Sequence, residues 1–238
     1  MKGLLIVIEG IGGVGKSTVK EKMTDLFRGQ GFEVVLTREP GGTPAAEHLR
    51  ELVRKGFPMD DRPFDPMGVA LLFNAARADH MSKVIQPALD AGKIVLCDRF
   101  CDSTFTYQNI YNGVEMHKLV DLHELVIDRY PHMTFLLDAP AEVAMTRISG
   151  WEKDNDQFDR AGAEMQEKMR QKYLELAASD VDRYEVIDAT QPPEEVFVRM
   201  LPQLRRLSKL HKGESVFNNI VPGRVVNNGI KDHSVTQP

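Results

Sequence analysis

The chain has 238 residues, a formal charge of -5, 42% hydrophobic and 27% charged residues, and two cysteines. That composition excludes a disulfide-stapled miniprotein or a low-complexity disordered chain, and the acidic balance argues against a nucleic-acid polymer as partner, which demands a basic surface. No apolar stretch approaches the ~18 residues of a membrane span, so no membrane partner is expected. The lone thiols Cys97 and Cys101 suit a reducing cytoplasm, and no leader segment is expected ahead of the first strand.

Leu4 to Ile8 is short, β-branched and unalternating, as expected of a strand buried on both faces of a parallel sheet. It breaks into Gly10-x-x-x-x-Gly15-Lys16-Ser17, a full match to the phosphate-binding loop. In such a loop, here Gly10, Gly12, Gly13, Val14 and Gly15, backbone N–H groups turn inward on phosphate oxygens. Lys16 reaches the β- and γ-phosphates, Ser17 ligates Mg2+, and Thr18 continues into a helix, so a nucleotide phosphate is the expected ligand. A plain strand-to-helix turn needs the glycines but neither the lysine nor the serine. Val19, Met23 and Phe27 then fall at helical spacing, and Gly29 and Gly31 close the helix.

Glu33 to Thr37 reads as a second strand, ending in Arg38-Glu39-Pro40-Gly41-Gly42-Thr43-Pro44 and a helix to about Lys55. Arg38 leaves the carboxyl end of a strand, where open α/β sheets bind ligands, although a solvated charge is equally compatible. Residues 65 to 90 read as one long helix with a kink or break at Pro87. Phe73 and Arg77, four apart, share a face of it and together suit a flat heterocycle. Spacing alone also allows Phe73 in the core and Arg77 in a surface ion pair.

Lys93 to Cys97 predicts the third strand, and Asp98-Arg99-Phe100 follows at once. A carboxylate at that point, beside a phosphate loop, is a partner for Mg2+, and Arg99 would point at the same phosphates. Asp102 is expected to cap a helix carrying Ser103, Thr104, Tyr107 and Gln108 to the mouth of the site. Further elements are a helix over 118–128, a strand over 132–137 and a helix over 141–148. A polar aperiodic stretch at about 149–161 reads as a lid, followed by a helix over 162–178, a strand over 184–188 and a helix over 193–207. The tail from Lys212 is expected to be disordered. Five β/α alternations behind a phosphate loop predict an α/β, P-loop NTPase-type fold in one domain over 1–211.

The blocks Arg38-Glu39-Pro40-Gly41-Gly42-Thr43, Leu71-Leu72-Phe73-x-x-x-Arg77-Ala78-x-His80, Asp98-Arg99-Phe100-x-Asp102-Ser103-x-x-x-Tyr107-Gln108 and Ile187-Asp188-Ala189, in that order and spacing, resemble thymidylate kinase. The resemblance implies a five-stranded parallel sheet with helices on both faces, and Mg2+-dependent transfer of the ATP γ-phosphoryl group to dTMP, giving dTDP. By this resemblance Lys16 and the loop amides hold the donor phosphates, while Ser17 and, through water, Asp98 hold Mg2+. Arg38 and Arg99 grip the acceptor phosphate, Phe73 stacks on thymine and Arg77 donates to its carbonyl. Thr104 and Gln108 face the base, Tyr107 crowds the sugar 2′ position, and a homodimer forms through the long helices.

Two positions depart from the family. Gly12 stands where members usually carry an acid that meets the sugar 3′-hydroxyl. Gly13 stands where some carry a catalytic arginine, which assigns the chain to the type whose arginine comes from the lid. Arg160 is the candidate there, and Arg147 is expected to flank adenine. A kinase of the same fold for another or modified pyrimidine deoxynucleotide is the nearer alternative. A nucleotide-dependent switch or regulatory ATPase is the remote one, since it has no use for Arg38, Phe73, Arg77 and Arg99 together.

Overall fold

The structure is a computed structural model that describes residues 3–55, 65–127, 129–148 and 162–214. Strands β1 (Leu4–Glu9), β2 (Val34–Arg38), β3 (Ile94–Asp98), β4 (Met133–Asp138) and β5 (Tyr184–Asp188) form a parallel sheet in the order β2-β3-β1-β4-β5. The unbroken apolar run of β1 follows from two-sided burial. Leu4, Ile6 and Ile8 pack into one cluster with Val19, Met23 and Phe27 of α1 (Lys16–Gly29), Met169 and Tyr173 of α8 (Ala163–Ser179) and Met200 and Leu204 of α9 (Pro193–His211). Leu5 and Val7 face a second cluster with Ala70 of α3 (Pro66–His80), Leu89 of α4 (Gln86–Asp90), Cys101 and Phe105 of α5 (Cys101–Ile110) and Leu119 of α6 (Met116–Val126). Helices α2 (Pro44–Lys55) and α7 (Ala141–Ile148) complete the described set.

The register sets the level of the site. Ile8 of β1 pairs with Asp98 of β3, which in turn pairs with Arg38 of β2, so β2 and β3 end on one rung and β1 runs one residue beyond it, to Glu9. One residue further on, the Arg99 N–H donates to the Ile8 carbonyl at 3.0 Å and the Glu39 N–H to the Asp98 carbonyl at 3.0 Å. The loops leaving these strands are therefore tied together at their first residue.

Three expectations are corrected. The stretch from 65 to 90 is not one regular helix, because a π-helical turn over Met81–Ile85 separates α3 from α4. Pro87 has no N–H for the carbonyl four residues back, and the wider turn before it absorbs that missing bond. Asp102 is not a helix cap. It is fully buried and accepts from Arg183 Nη1 at 2.8 Å and Nη2 at 3.1 Å, with the guanidinium 4.3 Å from the Tyr184 ring centroid and 5.2 Å from that of Tyr130. The start of α5 is capped instead from another element, since Glu9 accepts from the backbone N–H of Phe100 at 2.8 Å and of Ser103 at 3.1 Å. The last helix also runs one turn beyond Leu207, because Leu207 and His211 are both buried. The expected lid, with Arg160, and the tail from Ser215 lie outside the described residues. Among the described residues no helix is long and apolar enough to cross a membrane.

Candidate active site

The loop from β1 to α1 carries Gly10, Gly12, Gly13, Val14 and Gly15, with Gly15 in the left-handed region as the residue preceding α1. Val14 packs into the core and pins the loop, while Ser17 and Thr18 are exposed on the first turn of α1. Lys16 lies along the loop, donating from Nζ to the carbonyls of Gly10 at 2.9 Å and Ile11 at 2.8 Å. Its ammonium is thereby held at the loop mouth, beside the first N–H groups of a helix, where the helix dipole favours an anion.

On the same rung stands Asp98, whose Oδ2 faces Lys20 Nζ at 3.5 Å. Its Oδ1 is buried with no hydrogen-bond partner among the described residues. A buried carboxylate oxygen left unsatisfied is costly and calls for a ligand. Among the described residues no group of three or more His, Cys, Asp or Glu side chains could hold a metal. The donor set at hand is one carboxylate and one serine hydroxyl, which fits Mg2+, an ion that keeps most of its shell as water and phosphate oxygens.

Arg99 adopts φ 68, an uncommon conformation for a non-glycine residue. It folds over the Tyr107 ring with its guanidinium 5.2 Å from the centroid. Nη1 donates to the Gly10 carbonyl at 3.1 Å, Ser103 Oγ at 3.2 Å and Tyr173 Oη at 3.3 Å. Behind it lies Glu9, wholly buried, accepting from Ser103 Oγ at 2.7 Å and Tyr173 Oη at 3.1 Å. Burial first, and the nearby Asp102 carboxylate second, push the Glu9 carboxyl up to about 7, against the opposing pull of Arg99 and of the Ser103 bond. Arg38 is half-exposed and held by Glu47, its Nη2 donating to the two carboxylate oxygens at 3.2 and 3.1 Å.

The second half of the site is a wall formed by α3 and α5. Phe73 is half-buried, packed against the core cluster with part of its ring accessible. Arg77 is 3% exposed, so it makes no surface ion pair. Its Nε donates to Glu39 Oε2 at 2.6 Å, and its Nη2 donates to the Phe100 carbonyl at 3.2 Å and Thr104 Oγ1 at 2.7 Å. Thr104 and Gln108 are both buried on the same helix, and Gln108 Oε1 accepts from Asn112 Nδ2 at 2.5 Å. Arg147 is carried by α7, the helix against which Gly13 of the phosphate loop packs. It donates from Nη1 to the Ala189 carbonyl at 2.8 Å and from Nη2 to the Thr190 carbonyl at 3.0 Å, bracing the turn after β5.

The structure thus brings Lys16, Asp98 and Arg99 around the loop, and Arg77, Thr104 and Gln108 into one wall. Sequence reasoning missed Glu9, Tyr173, Glu39 and His80. Glu9 carried a signal, a single carboxylate ending an otherwise apolar buried strand. Tyr173 carried none, since it reaches the site from a helix 164 residues away in the chain.

A family model described as "Thymidylate kinase" matches residues 8–200. The thymidylate kinase of Ruegeria pomeroyi is 43% identical over 195 residues, covering 82% of this chain and 90% of that one. The thymidylate kinase of Pseudomonas savastanoi pv. phaseolicola is 40% identical over 214 residues, 90% of this chain and all of its own. The crystal structure of thymidylate kinase from Ehrlichia chaffeensis superposes with a TM-score of 0.68 at 30% identity, covering 86% of this chain and all of the other.

Proposed function

The chain belongs to the thymidylate kinase family, and on that premise we propose that it transfers the γ-phosphoryl group of ATP to dTMP, with Mg2+, in the supply of deoxynucleoside triphosphates. The observation that carries the reading is the shared rung of Ile8, Asp98 and Arg38. It sets the phosphate loop, the acidic group and two arginines at the ends of three adjacent strands, as an in-line transfer between two phosphates requires.

In this reading the loop amides and Lys16 hold the donor phosphates, and Arg38 and Arg99 hold the acceptor phosphate. Phosphoryl transfer needs mainly positioning and neutralisation of charge, so cations fixed by hydrogen bonds at a partly buried site contribute more than mobile ones in water. Arg99 meets that requirement through its three acceptors and the Tyr107 face. Ser17 and Asp98 would hold Mg2+, which supplies further neutralisation of charge on the phosphates. No covalent nucleophile or general base is required, because the acceptor phosphate is already an anion.

Phe73 would stack on the base, Arg77 donate to its 4-carbonyl, Thr104 and Gln108 face it, and Tyr107 stand by the sugar. Arg147 would border the adenine of ATP, and Arg160 would complete the charge at the transferred phosphate. A homodimer through α3 and α6 is supported by their exposed apolar side chains, Leu71 on the first and Leu125 on the second. The same reading places the enzyme in the cytoplasm.

The test is an ADP-release assay with a panel of deoxynucleoside monophosphates and Mg2+. The highest kcat/KM is expected for dTMP. A preference for another pyrimidine nucleotide would move the chain to a related kinase specificity, and ADP release independent of any acceptor would make it an ATPase.

A further inference from the structure

Glu39 and His80 sit in two of the sequence blocks yet have no place in the chemistry described so far. Both are buried, as are Arg77 and Thr37. Glu39 Oε2 accepts from Arg77 Nε at 2.6 Å, and Glu39 Oε1 lies 3.1 Å from His80 Nδ1. His80 Nε2 in turn meets Thr37 Oγ1 at 2.5 Å. A carboxylate oxygen accepts, so Nδ1 carries a hydrogen, and in the singly protonated ring the Thr37 hydroxyl donates to Nε2.

The backbone is shaped around this chain of contacts. A Cβ on Gly42, which has φ +84, would lie 2.4 Å from His80 Nε2 and 2.7 Å from Thr37 Oγ1. Glycine at 42 is therefore the condition for the imidazole to reach both neighbours. The Glu39 N–H is itself fixed by the Asp98 carbonyl at 3.0 Å, so the carboxylate starts from a rigid point of the sheet.

At the other end, every donor of Arg77 except those of one nitrogen is taken. Glu39 holds Nε, Phe100 and Thr104 hold Nη2, and the Phe100 ring lies 5.2 Å from the guanidinium. Nη1 is buried and has no hydrogen-bond partner among the described residues. A buried donor without a partner is costly, and a ligand acceptor in front of it would satisfy it.

We propose that Glu39 and His80 are positioning residues for base recognition, a relay from Thr37 that fixes the Arg77 fork so that Nη1 alone faces the 4-carbonyl of the pyrimidine acceptor. The inference rests on the reading of Arg77 as the base-contacting residue. A long arginine side chain keeps a single geometry only if its other donors are occupied, and a loosened fork would accept a 4-amino group as readily as a carbonyl.

The experiment measures kcat/KM on the full chain for dTMP, dCMP and a pyrimidine deoxynucleoside monophosphate with no substituent at position 4, with the melting temperature of each variant. Glu39→Gln and His80→Phe are expected to lower the dTMP-to-dCMP ratio by about tenfold or more. The change should fall on the KM of the acceptor, with the KM of ATP and the use of the 4-unsubstituted nucleotide unchanged. His80→Asn, whose amide can donate to Glu39 in place of Nδ1, should recover most of the ratio. Thr37→Val, which removes only the hydroxyl, should shift the ratio in the same direction and serves if a harsher variant does not fold.

Equal losses on all three nucleotides, or an unchanged ratio in folded variants, would overturn the relay. Arg77→Ala separates the two layers. If it leaves the ratio intact, the base-contact reading fails and the relay with it. If it collapses the ratio while the relay variants do not, only the relay falls.

Discussion

Gly13 and Ala144 approach so closely that a Cβ on Gly13 would lie 2.1 Å from the Ala144 carbonyl oxygen, and Gly13 has φ +81. The phosphate loop is thus packed against the backbone of α7, and no side chain of any kind fits there without moving one of them. Gly13→Ala is expected to cost about 2 kcal/mol or more, from the left-handed conformation and the overlap together. That predicts a melting temperature lower by roughly 5 °C or more. An arginine in the loop at this position is ruled out by the same contact, and a thermal melt of Gly13→Arg that matched wild type would refute the argument.

Glu9 makes stability depend on pH in an unusual direction. Its carboxyl is raised from 4.5 to about 7 in the folded chain, mainly by burial. The folded state therefore holds a proton that the unfolded state has released across that window. The contribution is full below about 4.5 and is lost as pH rises through about 7. Subtracting the stability of Glu9→Gln from that of wild type at each pH removes the other titrations. The difference should fall between about pH 4.5 and 7, and a flat difference would show that Glu9 does not titrate there.

Lys16 and Arg99 are expected to act on charge. Lys16→Ala and Arg99→Ala should each lower kcat by orders of magnitude. For Arg99 the backbone adds a second effect, because alanine at φ 68 carries a strain of about 1–2 kcal/mol that glycine avoids. Arg99→Gly should thus match Arg99→Ala in kcat and exceed it in melting temperature. Wild-type kcat in either variant would remove Arg99 from the phosphate site.

Arg160, beyond the described residues, is the proposed lid charge. Arginines supplied this way contribute roughly 10³-fold or more in rate. Arg160→Ala should lower kcat far more than it alters either KM. An unchanged kcat would shift the role to Lys153 or Arg147.

In the proposed reading, Gly12 would leave the 3′ side of the sugar without a carboxylate at that position. A 3′-deoxy analogue should be used nearly as well as dTMP by wild type, and Gly12→Asp should widen the gap between them. Strong rejection of the analogue by wild type would mean that another group holds the 3′-hydroxyl.

Much of the molecule could be read along the chain, because its signals are local. Two-sided burial makes Leu4 to Ile8 uniformly apolar, and the loop chemistry demands Gly15, Lys16 and Ser17 at fixed spacing. Those constraints determined the strand series and the position of the phosphate loop. The family blocks singled out Arg38, Arg77, Arg99 and Thr104 as site candidates before any contact was known. What the chain could not reveal is pairing between distant segments. Asp102 has the sequence position of a cap, yet its partner Arg183 lies 81 residues away, and the cap of α5 comes instead from Glu9, 94 residues before Ser103. Arg77 meets Glu39 across 38 residues, and Gly13 meets Ala144 only because the turn of β1 packs on α7. Periodicity and spacing report which face of an element is buried. Which partner waits on that face is decided only when the parallel sheet, with its order β2-β3-β1-β4-β5, carries remote strand ends to a common rung.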